Sequence, residues 1–196
     1  ASRQKFMASI AAGRPPDLVN TSTEFCNTLA QNGALTALSE KLSQEQIDQY
    51  FPNIWEATEF EGEVYAFPWY VTTQVVMYNK SVLQQAGLDP ETAPKTWGDV
   101  EAFSKKIMES GAAKCGFTTG WVSWVQLENF SAWHNLQIGT LQNGFGGLDT
   151  ELTVNGPVQV KHWANLKNWQ DSGIFEYGGP VGGNDAPPKF YAQQCA

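Results

Sequence analysis

Positive charge is scarce in this sequence: twelve Lys and Arg stand against twenty Asp and Glu among 196 residues, for a formal net charge of −8. Holding a nucleic-acid duplex takes clustered cations that displace counterions, and these twelve are scattered. The same deficit argues against an anionic membrane surface as a partner. Long apolar runs are missing too, with no stretch of about 18 residues that would make a spanning helix. There are only two histidines, His134 and His162, so a metal site would have to lean on carboxylates. Three cysteines, Cys26, Cys115 and Cys195, are too widely spaced for a zinc knuckle or a C-x-x-C redox motif. The G-x-S-x-G elbow, the P-loop and the G-x-G-x-x-G fingerprint are all absent. Gly178-Gly179 and Gly182-Gly183 have no strand before them and no helix directly after, so they make a poor phosphate cradle. No signal peptide stands at the start, but residues 2–12 read as a helix whose earlier turns are missing, so that absence carries no weight.

Apolar residues are plentiful at 42% against 16% charged, which marks a globular chain. Its length allows one large domain or two small lobes, each with a core. Eight Trp are the compositional excess, most of them between positions 97 and 169. Trp fills cores, and it is also a preferred platform for flat, weakly polar ligands such as sugars and polyols.

Phe6, Met7 and Ile10 form a helical stripe that Gly13 and Pro15-Pro16 end. Asp17 to Asn20 reads as a short apolar strand, and Ser22 or Thr23 caps a helix running through Phe25 and Leu29 to Gly33. Ser43 to Gln46 is a capping box, and Pro52 opens a further helix with Trp55. Residues 63–67 and 72–78 read as strands around Pro68. A helix with Val82 and Leu83 ends at Gly87. Thr96 and Asp99 cap the next, whose core face is Trp97, Val100, Phe103 and Ile107. Residues 114–117 read as a strand, 118–123 as a turn, 124–135 as a helix capped by Ser123 with Gln126, and 136–147 as loop. Val158, His162, Leu166 and Trp169 line one face of another helix. Residues 178–188 read as a Gly/Pro-rich surface loop, and a last turn at Phe190 leads into a strand at Cys195, cut off after Ala196. Strands alternate with helices, so the class is α/β with a mainly parallel sheet.

Catalytic constellations are thin. Glu59, Glu61 and Glu63 would share one face of a strand and read as a solvated edge rather than paired acids. His162 sits on an apolar helix face and reads as a satisfied core residue. A secreted glycoside hydrolase would need two carboxylates across a sugar, and only Glu24 is plausibly placed. The chain therefore reads as no enzyme, with no cofactor.

The segments "GRPPDLVNTSTEF" (13–25), "YAFPWYVTTQVVMYNK" (65–80) and "AGLDPETAPKTWGDVEAFSKKI" (86–107) come in an order that resembles the extracellular solute-binding proteins (family 1) of ABC importers. "CGFTTGWVSWVQLENFSAW" (115–133), "NGFGG" (143–147) and "VQVKH" (158–162) narrow the resemblance to the members that carry glycerol phosphates. It covers essentially the whole chain, apart from "GGPVGGNDAPP" (178–188), which has no counterpart. The resemblance implies a fragment of a periplasmic-binding-protein-like (type II) fold, with residues 1–71 in lobe one, 72–78 a hinge strand and 79–196 in lobe two. It implies a small polar solute in the interlobe cleft: glycerol 3-phosphate, a glycerophosphodiester, or a neutral mono- or oligosaccharide. The permease subunits of an ABC importer would be the partners, and the location the periplasm or, lipid-anchored, the outside of a Gram-positive cell. Carried over by position, Glu24 would accept hydrogen bonds from solute hydroxyls and Thr72 would sit at the hinge. Trp121 and Trp124 would form an apolar wall, unless they are ordinary core. Tyr70 is a further candidate, as are Thr118, Thr119 and Gly120, whose N–H groups ahead of a helix could rest against an anion. The family's other ligand positions, a phosphate-reading Arg among them, fall outside residues 1–196, so no Lys or Arg of this stretch is expected on a bound phosphate.

Cys115 and Cys195 each begin a strand, and in a doubly wound lobe those strands would be neighbours. That would bring the two Cα atoms within disulfide range, in a compartment that oxidises such pairs. Cys26 would remain a buried thiol. The alternative is three reduced cysteines packed as small hydrophobes.

Overall fold

The structure, a computed structural model, describes residues 2–147, 149–180 and 184–196. The chain forms two compact units, Ala1–Thr73 and Gln74–Ala196.

In the first unit, helix α1 (Ser2–Ala11) meets helix α2 (Thr23–Gln31) through Phe6, Phe25 and Leu29, with Ile10, Ala34 and Leu35 packed around them. The apolar stripe of α2 is Phe25, Cys26, Leu29 and Ala30, the spacing that lays one helical face against a neighbour. Ser22 stands at the head of α2, but its side chain makes no capping bond. A 3₁₀ turn (Ser39–Lys41) leads to α3 (Gln44–Ile47), opened by the reciprocal Ser43–Gln46 capping box, and then to α4 (Pro52–Glu56). Trp55 is buried there, donates its indole N–H to the Ile47 carbonyl at 3.0 Å, and is ringed by Tyr50 and Phe67.

Strands β1 (Glu59–Phe60) and β2 (Glu63–Val64) form a hairpin over Glu61-Gly62, with φ of 51° and 83°. Two successive positive φ angles give the turn whose twist matches a tight hairpin. The three glutamates are exposed, as a solvated edge requires, but they do not share a strand face, because the chain reverses at Glu61.

Two expected strands do not form. Residues 17–20 and 72–78 have no ladder partner among the described residues, and Leu18 is 91% exposed. A strand exists only where a neighbour takes its N–H and C=O groups, so the β-branched run at Val75 and Val76 is a propensity without a partner. The boundary between the units falls at 73/74, inside the segment expected to be the hinge strand.

In the second unit, Asn79 caps α5 (Lys80–Gln85), and the Thr96–Asp99 capping box opens α6 (Trp97–Ser110). Val82, Leu83, Ala86 and Ile107 form the core between them. The expected strand at 114–117 is displaced: β3 is Phe117–Thr119, parallel to β4 (Phe175–Tyr177) in the register Phe117↔Phe175. Two residues before β3, Cys115 bridges Cys195 in parallel. Those residues are joined by a disulfide with Cα atoms 4.7 Å apart, and Cys26 is buried and free. Gly116 is required where the strand crosses α6, since a Cβ there would fall 2.0 Å from that of Ser104.

Helix α9 (Pro157–Asp171) covers the sheet and packs Leu166 and Trp169 with Ile174 and Phe175. Its buried face is Gln159, His162, Leu166 and Trp169, while Val158 is 40% exposed. Gln159 displaces Val158 because the stripe steps by three and four from Trp169 back to His162 and then by three.

The helix expected at 124–135 begins earlier and differently, as a π-helix (Ser123–Asn129) running into α7 (Phe130–Trp133), so Ser123 lies within it and caps nothing. The loop at 136–147 contains the short turn α8 (Thr140–Asn143), and the expected surface loop ends early where α10 (Ala186–Tyr191) begins, with Pro187 and Pro188 in its first turn. Gly182 and Gly183 lie outside the described residues.

Candidate ligand-binding site

The parallel pair β3–β4 ends at Thr119 and Tyr177, and open α/β sheets place ligands beyond the carboxyl ends of their strands. Thr118 and Thr119 are the last residues of β3 rather than a free turn, and the reversal begins at buried Gly120. Thr119 donates its hydroxyl to the Gly120 carbonyl at 3.0 Å, while Thr118 Oγ1 is buried without a partner among the described residues. A Cβ on Gly120 would stand 2.5 Å from Asn184 Oδ1. Asn184 offers no sequence signal, because it sits in an aperiodic Gly/Pro-rich stretch and reaches the site only through the fold.

Trp121 follows with φ of 45°, a left-handed conformation that costs a bulky residue about 1 kcal/mol or more. Its ring lies 5.8 Å from that of Trp124, tilted by 51°. Trp121 is 41% exposed and Trp124 half-buried, so the pair forms a wall open to solvent; Trp97 and Trp169 pack within the core instead. The wall stands on the π-helix, a form concentrated at functional sites. Beneath it, His162 Nε2 lies 2.9 Å from Gln126 Oε1, and its ring stacks on Phe130 at 3.7 Å. Burial, with a smaller contribution from His134, pushes the His162 pKa down to about 4.

In the first unit, Glu24 is exposed in the first turn of α2, and its carboxylate has no hydrogen bond or ion pair among the described residues. Thr72 is exposed on the extended segment. A hollow of about 330 Å³ is lined by Arg3, Asn20, Thr21, Ser22, Phe25 and Tyr70, among others. The Arg3 guanidinium lies 4.1 Å over the Phe25 ring. Of the ligand-site candidates singled out in the sequence, Tyr70 alone lines this hollow, and Arg3 is a cation that the sequence did not place there.

No metal is suggested by these groups. Cys115, Glu176 and Cys195 bring three potential ligand atoms within 4.8 Å, but both sulfurs are bonded to each other. Glu176 is held by Lys189 and Gln194, and the Lys189 contact leads in lowering its pKa.

The sequence profile of the bacterial extracellular solute-binding protein family matches residues 1–196. The chain belongs to that family. It is 35% identical over 196 residues to the sn-glycerol-3-phosphate-binding periplasmic protein UgpB of Rhizobium meliloti (strain 1021), covering 97% of this chain and 45% of the relative. It is 36% identical to UgpB of Shigella flexneri serotype 5b (strain 8401) over 202 residues, covering 98% of this chain and again 45% of the relative. The chain thus spans a little under half the length of these relatives.

Solved solute-binding proteins show the same fold. UgpB of Mycobacterium tuberculosis, in complex with glycerophosphocholine, superposes with a TM-score of 0.72 at 24% identity, covering 98% of this chain and 48% of that one. An ABC substrate-binding protein of Listeria monocytogenes, in complex with cycloalternan, also gives 0.72, at 22% identity, covering 99% of this chain and 49% of that one. The fold is therefore α/β of the type II periplasmic-binding-protein kind, present here in part. Family members of this kind are exported binding proteins rather than enzymes, which places the chain in the periplasm. Among the described residues, no helix is long and apolar enough to cross a membrane.

Proposed function

We propose that the protein is the substrate-binding component of an ABC importer, capturing glycerol 3-phosphate or a glycerophosphodiester and delivering it to the membrane permease. The observation that carries this reading is the Trp121–Trp124 wall. Two indoles stand half-open to solvent at the carboxyl end of a parallel sheet, one of them on a strained backbone. An aromatic face of this kind takes the C–H edge of a polyol and excludes water from it. Relatives at about 35% identity that are named for sn-glycerol 3-phosphate support the choice of solute. Glu24 serves as acceptor for the solute's hydroxyls, and the hydroxyls of Tyr70 and Thr72 supply further hydrogen bonds.

The same uncharged wall favours a second solute class, a neutral mono- or oligosaccharide. Titrating the full-length protein with glycerol 3-phosphate, glycerophosphocholine and maltose, followed by tryptophan fluorescence and thermal shift, separates the two. Stabilisation should grow as RT ln(1 + [L]/Kd) for the true solute, which is recovered unchanged. Trp124→Ala should weaken that binding by ~1–3 kcal/mol. Unaltered affinity in a folded Trp124→Ala protein would remove the wall from the site, and turnover of any solute would sink the carrier reading.

A further inference from the structure

Trp124 stands on the π-helix Ser123–Asn129, and Trp121 lies just ahead of it. In a π-turn each N–H reaches five residues back, a wide and rarely sustained geometry. Within Ser123–Asn129, Gln126 is the buried residue, at 4% exposure. It is hydrogen-bonded to His162, itself 3% exposed on α9. With the amide oxygen as acceptor, His162 Nε2 carries the proton.

The same imidazole lies flat on Phe130, with rings 3.7 Å apart and inclined by 9°, and Trp97 closes in at 4.8 Å. One side chain of α9 therefore grips the helix at two successive points, Gln126 by its edge and Phe130 by its face. Residues two apart on a helix point to opposite sides, so turning Gln126 inward turns Trp124 outward. Asn129 Nδ2 donates to the Trp124 carbonyl at 2.9 Å, which is a contact local to the helix. His162 links this helix to α9 at 2.9 Å, and a longer contact from Gln159 Nε2 to Ser131 Oγ at 3.5 Å joins the two helices further along.

We propose that the Gln126–His162 hydrogen bond is a positioning contact: it fixes the register of the π-helix and so sets the attitude of Trp124 against Trp121. Neither residue touches the solute; both act through the indole. The consequence for binding rests on the reading of the wall as the solute contact, whereas the consequence for indole geometry does not.

The bond is removed from opposite ends by Gln126→Met, which keeps the length of the side chain, and by His162→Phe, which keeps the stack on Phe130. Gln126→Glu retains an acceptor and serves as the rescue. The first readout needs no solute. The far-UV exciton signal between Trp121 and Trp124, taken as the circular-dichroism difference between each protein and its Trp124→Phe partner, should collapse in Gln126→Met and His162→Phe and return in Gln126→Glu. The second readout is glycerol 3-phosphate affinity in the full-length protein. Each bond-breaking variant should bind roughly tenfold more weakly. Combined with Trp124→Ala, neither should weaken binding beyond Trp124→Ala alone, because the effects pass through one group.

An unchanged exciton signal in a folded variant would overturn the proposal, as would additive losses. Failure of both variants to fold would assign the bond to the stability of the unit and overturn it equally. If the parent protein binds no glycerol 3-phosphate, the solute reading fails while the exciton arm still decides the positioning role.

Discussion

At the scale of single residues, the informative ones are polar groups held where water cannot reach. His162 is 3% exposed, and its pKa is pushed down to about 4, so it is neutral in the native protein near neutrality. The unfolded chain takes up this proton near the ordinary value of about 6.5. Between those values the unfolded state binds more protons, so stability falls as pH drops through the window from about 6.5 to 4 and is unaffected by this group above it. From about pH 7 to about pH 5 the loss is on the order of 2 kcal/mol. Urea denaturation of the parent and of His162→Phe at both pH values isolates it, since other titrating groups cancel in the difference. An equal pH dependence in the two proteins would show that His162 is not buried as a neutral imidazole. The sequence offers an imidazole on an apolar stripe and hence a core histidine; its bond to Gln126, 36 residues away, is a property of the fold.

At the scale of elements, the ends of helices follow from local chemistry. The Ser43–Gln46 and Thr96–Asp99 boxes satisfy orphan N–H groups with side chains three residues away, and Gly33 and Gly111 end helices at φ of 66° and 72°. Asn79 does the same for α5: its Oδ1 accepts from the N–H groups of Ser81 and Val82 at 3.0 and 3.2 Å. Because α5 carries Val82 and Leu83 into the core, fraying its first turn reaches the interior. Asn79→Ala is expected to cost about 1 kcal/mol of the second unit's stability, with Asn79→Asp or Asn79→Ser near neutral. Chemical denaturation followed by tryptophan fluorescence measures this; equal losses in all three variants would mean that the cap bond is not the cause. The strand assignments fared worse than the helices because a strand is defined by its neighbour. Residues 72–78 have the composition of a strand but no partner among the described residues, and β3 is displaced toward its C-terminus by the register that β4 imposes.

At the scale of the whole chain, the disulfide is the longest covalent constraint, joining residues 80 apart in sequence. Cross-linking a loop of that length restricts the unfolded ensemble by an amount worth about 4 kcal/mol on the chain-entropy model. Urea midpoints with and without reductant, set beside a Cys115→Ser/Cys195→Ser variant, should show a loss of that order. Reductant should leave the variant unmoved. Thiol counting on this 196-residue chain, denatured without reductant, is expected to find one free thiol, from Cys26; three would overturn the bridge. Burial raises the Cys26 pKa, which keeps that thiol protonated and slow to react.

The sequence by itself determined the α/β class, the Ser43–Gln46 and Thr96–Asp99 capping boxes and the family, because each rests on side chains a few residues apart or on an ordered set of short motifs, and the neighbourhood of Cys115 and Cys195 followed from the strand order of a doubly wound lobe. The family resemblance carried by its motifs also brought Trp121 and Trp124 forward as a pair. Only the tertiary structure decided that Trp121 takes a left-handed backbone, that the helix after it winds as a π-helix, and that Arg3 and Asn184 border the two candidate regions. Those outcomes depend on groups distant in sequence, such as β4 against β3 and His162 against Gln126. Local propensities are worth tenths of a kcal/mol per residue, and such contacts outweigh them.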